Sequence, residues 1–168
     1  MVSAPLPALA ARQNGKNESR KEADSKARLR LWIRLLRASR LIEGVARERL
    51  KTQFNATLPR FDVMAALYRK PDGMLMSEIS RFLMVSNGNV TGIVDRLVAD
   101  GYVARSQRNG DRRTSFVSLT RKGRAAFAEM AAAHESWIDE LLGGVPARDA
   151  MELAAKLKSF RSDWEGEA

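Results

Sequence analysis

The feature that most restricts how this chain folds is a change of period at Gly101. Before it, in "MSEISRFLMVSNGNVTGIVDRLVAD", apolar residues recur at helical spacing. Ile79, Phe82 and Leu83 share one face of a first short helix, which Ser77 is placed to cap. "MVS" makes a turn, and Ser86 is placed to cap a second helix. There Val90, Ile93, Val94, Leu97 and Val98 fall at i, +3, +4, +7 and +8, so one face is buried. Asn87, Asn89, Thr91, Asp95 and Arg96 are left on or beside the other face, and Gly101 is placed to end the helix. After it, "YVARSQRNGDRRTSFVSLT" reads as strand, turn and strand, and Asn109-Gly110 is the dipeptide of a tight hairpin turn.

Helix, turn, helix and a charged hairpin make a winged helix-turn-helix. The remaining pattern is helical, so the expected fold is mainly α with a small β wing, flanked by long N- and C-terminal helices. Residues 1–25 have little periodic apolar content and read as a mobile tail. A long helix follows from about Ser25 to Phe54, with Leu31, Leu35, Ala38, Ile42 and Val45 on its stripe. "NATLP" breaks it, and "RFDVMAALYRK" is a short helix closed by Pro71-Asp72-Gly73. Beyond the hairpin, a helix runs from about Arg121 to Leu142, and Pro146 sits where the last one starts. In that last helix Ala150, Leu153, Leu157, Phe160 and Trp164 are spaced 3, 4, 3 and 4 apart, a short seam for helix pairing.

Composition removes whole classes of chemistry. With no cysteine there are no disulfides, thiol nucleophiles or thiolate metal sites, and with one histidine, His134, no histidine cluster. No metal or cofactor is expected. No apolar run approaches a membrane span, no compact secretory signal opens the chain, and a cytoplasmic location is expected. Charge is sorted along the sequence: residues 28–60 carry +7, residues 86–124 carry +5, and residues 125–168 carry −5. Basic segments followed by an acidic end suggest one side that faces a polyanion and a different far side.

Duplex DNA suits that side. A helix about 10–12 Å across enters the major groove, where Ser86, Asn87, Asn89, Thr91 and Arg96 are placed to reach base edges or phosphates. The hairpin tip carries Arg108, Asp111, Arg112 and Arg113; one arginine of the 112–113 pair enters the narrow minor groove, Arg108 meets a phosphate, and Asp111 orients the guanidinium groups. Gly88 and Gly92 each cost about 1 kcal/mol relative to alanine in a helix, a cost that makes sense where another surface, DNA or a neighbouring helix, approaches closely. On the first long helix Arg30, Arg34, Arg37 and Arg40 are spaced 4, 3 and 3 apart without i+4 acidic partners. They are either a solvated face or a site for several phosphates.

The run "DGYVARSQRNGDRRTSFVSLTRKG" resembles the wing signature of the MarR family of bacterial transcriptional regulators. Its Asp-x-Arg is matched by Asp111 and Arg113, and its Val-x-Leu-Thr by Val117, Leu119 and Thr120. "NVTGIVDRLVADGYV" resembles the family's recognition helix, and the likeness keeps its element order from about residue 28 to 164. The resemblance implies an obligate homodimer bound to a pseudo-palindromic DNA operator. Residues 26–54 and 121–164 then form the dimerisation region, and residues 55–120 the DNA-binding domain. It further implies a small aromatic effector held between the dimerisation helices and the DNA-binding lobe. The first helix and "LPRFDVMAALYRK" are similar to the CouR-type subgroup, which answers to an aryl-coenzyme A thioester such as p-coumaroyl-CoA. On that likeness Trp32, Phe61, Met64 and Tyr68 supply an aromatic pocket, and Arg30, Arg34, Arg37 and Arg40 hold phosphates. His134 is a core histidine or a hydrogen-bond partner of the ligand.

The expected function is therefore a repressor released from its operator by an aromatic acid or its coenzyme A thioester. An activator and a ligand-independent architectural dimer are the alternatives within DNA binding. An enzyme acting on the thioester is disfavoured by the missing cysteine, the single histidine and the lack of a glycine-rich phosphate loop.

Overall fold

The computed structural model describes the backbone of residues 7–107 and 115–165 and the side chains of residues 20–106 and 116–159. The elements are α1 (Pro7–Phe54), α2 (Leu58–Tyr68), β1 (Met74–Leu75), α3 (Met76–Leu83), α4 (Asn87–Ala99), β2 (Val103–Gln107), β3 (Ser115–Leu119), α5 (Arg121–Leu142) and α6 (Ala147–Glu165). Two compact units divide the chain, one up to Gly44 and one from Val45 onward.

In the first unit α1 begins at Pro7, so residues 7–25, assigned from the sequence to a tail, are helical in backbone. Pro7 fits a helix start because its missing N–H is unsatisfied there in any case. The ensuing "ALAAR" is rich in strong helix formers. The described side chains of this unit are mostly exposed, including Leu29, Leu31, Trp32, Ile33 and Leu41.

The second unit holds the core. Val90, Val94 and Leu97 of α4 are fully buried, as their spacing requires, and they meet Leu50 of α1, Val63 and Leu67 of α2, and Ile79 of α3. The strands form one sheet in the order β1-β3-β2, antiparallel throughout, with Val103 opposite Leu119 and Arg105 opposite Val117. β1 is absent from the sequence reading: its two residues pair with Val117 and Phe116, and that pairing alone makes them a strand. The hairpin tip, with Arg108, Asn109-Gly110, Asp111, Arg112 and Arg113, lies outside the described residues.

Ser77 does not cap α3, because the helix starts two residues earlier than that cap requires, with Leu75 in the N-cap position. The Glu78 carboxylate accepts from the Leu75 N–H at 2.7 Å and satisfies the helix start in place of a serine hydroxyl. Ser86 does occupy the N-cap of α4, but its side chain makes no capping bond. At the other end Gly101 (φ 75°) closes α4 with paired bonds, Tyr102 N–H to Leu97 O at 2.9 Å and Gly101 N–H to Val98 O at 3.0 Å.

Three side chains then clamp this corner. Thr120 caps α5 by accepting from Gly123 N–H at 3.0 Å, and its hydroxyl donates to Gly101 O at 2.8 Å. Lys122 Nζ donates to Asp100 O at 2.9 Å, and Arg60 from α2 pairs with the Asp100 carboxylate.

Candidate nucleic-acid interface

Because the core claims one face of α4, the other is presented outward along its whole length. Gly88 and Gly92 lie four residues apart on it, and a Cβ built on either meets nothing within 4 Å. No helix among the described residues packs there, so the close-approach surface is open to a partner outside the chain.

The predicted contact residues differ in how free they are. Asn89 and Arg96 are exposed, and their side chains have no hydrogen-bond or ion-pair partner among the described residues. Thr91 is exposed, but its hydroxyl bonds back to Asn87 O at 2.9 Å. Asn87 is tied across the turn: its Oδ1 accepts from the hydroxyl of Ser80, which is nearly buried in α3 and also reaches Ser77 O at 3.0 Å. Asn87 therefore holds the two helices of the motif together as well as facing outward.

One flank of α4 opens onto a groove of about 670 Å³, lined by Arg47 and Lys51 of α1, Leu58 of α2, and Asn89, Ile93 and Arg96. Arg47 and Lys51 add charge beside Arg96 that the sequence reading did not connect with the interface. They lie 49 and 45 residues before Arg96 in sequence, and only the packing of the end of α1 against the core brings them near. On the other flank Arg105 Nη2 of β2 donates to Asp95 Oδ1 at 2.5 Å, joining the wing to α4.

The residues assigned to an effector divide between the two units. Trp32, Arg30, Arg34, Arg37 and Arg40 are exposed on α1 in the first unit. In the second, Phe61 and Met64 are core side chains, only 8% and 2% exposed, whereas Tyr68 is 40% exposed. Phe61, Tyr68 and His134 are nevertheless brought into one aromatic row by Phe127. Successive ring centroids run Tyr68–Phe127 4.9 Å, Phe127–Phe61 5.3 Å, Phe61–His134 4.9 Å and His134–Trp137 6.3 Å. Arg124 lies over Tyr68 at one end, and Arg49, paired with Glu140 at 2.7 Å, lies over Trp137 at the other. Burial against these rings pushes the His134 imidazole below its ordinary pKa. Met64 instead lines a separate cavity of about 380 Å³ with Arg60, Tyr102 and Lys122.

A helix-turn-helix whose second helix shows a polar, partly side-chain-free face, followed by a strand-paired wing, defines a winged helix-turn-helix DNA-binding protein. The MarR family model matches residues 56–115. A MarR family transcriptional regulator from Silicibacter pomeroyi is 33% identical, with a TM-score of 0.69 over 84% of this chain and 97% of that one. The transcriptional activatory protein BadR of Rhodopseudomonas palustris is 30% identical over 76% of this chain and 75% of its own. The MarR C80S mutant of E. coli, crystallised with operator DNA, shares the fold, with a TM-score of 0.68 at 24% identity over 77% of this chain and 92% of that one. The chain belongs to the MarR family: it is a DNA-binding transcriptional regulator and not an enzyme. Among the described residues no helix is long and apolar enough to cross a membrane.

Proposed function

We propose that this regulator acts as a homodimer that places two copies of α4 in successive major grooves of a pseudo-palindromic operator, and that it is a repressor released by an aromatic acid or its coenzyme A thioester. The observation that carries the DNA reading is the outer face of α4. Gly88 and Gly92 leave open space, and the side chains of Asn89 and Arg96 beside them have no partner among the described residues. Arg112 or Arg113 is proposed as the minor-groove reader, Arg108 as a phosphate contact, and Ser86, Asn87 and Thr91 as contacts of the helix start. Dimerisation is supported by α6, where Leu153 and Leu157 of the apolar seam stay 52% and 48% exposed within the chain. Such a seam calls for a partner helix.

For the effector, the row through Tyr68, Phe61 and His134 is the candidate contact for an aromatic ring. Arg30, Arg34, Arg37 and Arg40 supply charge for the phosphates of a thioester. An activator is the second reading, and the likeness to BadR, itself a transcriptional activatory protein, favours it.

A gel-shift titration on a duplex selected by the protein from a randomised library tests the whole. Arg113→Ala is expected to weaken binding and flatten its salt dependence. Aromatic acids and their coenzyme A thioesters are then added to the complex. Release by the thioester supports the effector reading, and calorimetry showing no binding of either compound class rejects it.

A further inference from the structure

A DNA-reading helix has an evident reason to avoid carboxylates, yet α4 carries Asp95 beside its outer face, 53% exposed. The explanation lies in β2. Strand alternation puts Arg105 on the same sheet face as Val103, which is buried, and opposite the equally buried Val117. That face looks into the core along most of its length and reaches the edge of α4 at Arg105. The guanidinium leaves the strand there and donates from Nη2 to Asp95 Oδ1 at 2.5 Å. A single nitrogen is engaged, and no partner among the described residues takes the remaining donors. At 40% exposed, the group has solvent to face.

We infer that Asp95 is a positioning residue of the DNA interface: it holds Arg105 at the base of the wing so that the remaining N–H donors meet a backbone phosphate. The inference rests on α4 entering the groove. A planar guanidinium with five donors can serve a carboxylate and a phosphate at once, which an ammonium point charge cannot do with the same fixed geometry. The Asp95 charge is then neutralised locally, and its repulsion of DNA is traded for a fixed direction of Arg105. The ion pair also sets the base of the wing against the recognition helix.

The test exploits a difference of sign. Removing a negative charge from a DNA-facing helix by Asp95→Asn should tighten binding if only long-range electrostatics matters. The positioning role predicts the opposite, binding roughly fivefold weaker, with Asp95→Glu close to wild type because it keeps the pair. Arg105→Gln should weaken binding and lower the salt slope by about one, the signature of one lost phosphate contact. Thermal midpoints should barely move in any variant, since a half-exposed pair contributes little to folding. The probe is the duplex the wild-type protein selects from a randomised library. If no duplex is selected, α4 does not read DNA and the inference falls with that reading. If one is selected and Asp95→Asn binds it as tightly as wild type or more tightly, the inference alone is overturned.

Discussion

The α-carbon of Gly123 lies so close beneath the carbonyl of Tyr102 that a methyl group there would sit 1.9 Å from the oxygen. The three nearest atoms are all Tyr102 backbone, so no flexible side chain can yield at the point of closest approach. Gly123→Ala must therefore separate the start of α5 from the end of α4, at a cost of about 3 kcal/mol or more. Denaturant unfolding of the variant measures it, and a loss below about 1 kcal/mol would mean the contact is looser than described.

Gly88 and Gly92 should behave in the opposite manner. A methyl on either meets nothing within the chain, so alanine there should raise stability by about 1 kcal/mol. The same methyl stands between the helix and its DNA, so affinity should fall while the melting temperature rises. Alanine variants that gain stability and keep full affinity would remove these glycines from the interface.

The Arg96 and Asn89 side chains flank that surface without partners among the described residues. Arg96→Ala should weaken binding to the selected duplex with only a small stability change. If Arg96 contacts phosphate, the loss is uniform across operator sequences; if it reads a base, the loss is confined to one position and amounts to about 1–3 kcal/mol. A binding profile over single-base operator variants separates the two, and an unchanged profile at unchanged affinity excludes both.

His134 makes stability depend on pH. Its folded pKa lies below the ordinary value of 6.5 because burial disfavours the imidazolium. The unfolded chain then takes up a proton more readily, so the stabilisation is complete above about pH 6.5 and is lost as pH falls through the folded value. Melting temperatures between pH 8 and 5 should decline less in His134→Phe than in the wild type. Parallel curves would show that the imidazole titrates as it does in water.

The seam on α6 tests assembly. Leu153→Glu with Leu157→Glu alters side chains about half exposed within the chain, so a lone subunit should tolerate both. Sedimentation equilibrium should show the doubly substituted protein as a folded monomer and the wild type as a dimer. A substituted protein that remains dimeric places the interface elsewhere.

Much of this architecture is legible in the sequence because the spacing of Val90, Val94 and Leu97 and the Gly101 stop are local signals. α5 begins at Arg121 and ends at Leu142, as its stripe indicates. Less is legible where a partner distant in sequence decides. Met74 and Leu75 are a strand only because Val117 and Phe116 lie beside them, and Leu75 is an N-cap only because Glu78 reaches back. For the interface, the outer residues of α4 follow from periodicity. The Arg105–Asp95 pair and the approach of Arg47 and Lys51 depend on how strand and helices pack, which no local spacing encodes. Phe61 and Met64 are buried on α2, Phe61 in the aromatic row with Phe127 and His134 and Met64 along the cavity beside Arg60, neighbourhoods that no local spacing encodes.

The clamp on Asp100 bears on how any signal travels through this domain. Arg60 and Lys122 fasten the last turn of α4 to α2 and α5. Asp100 is therefore the point at which the recognition helix is pinned to the helices behind it, and a movement of α2 or α5 has a direct mechanical route to the C-terminal end of α4.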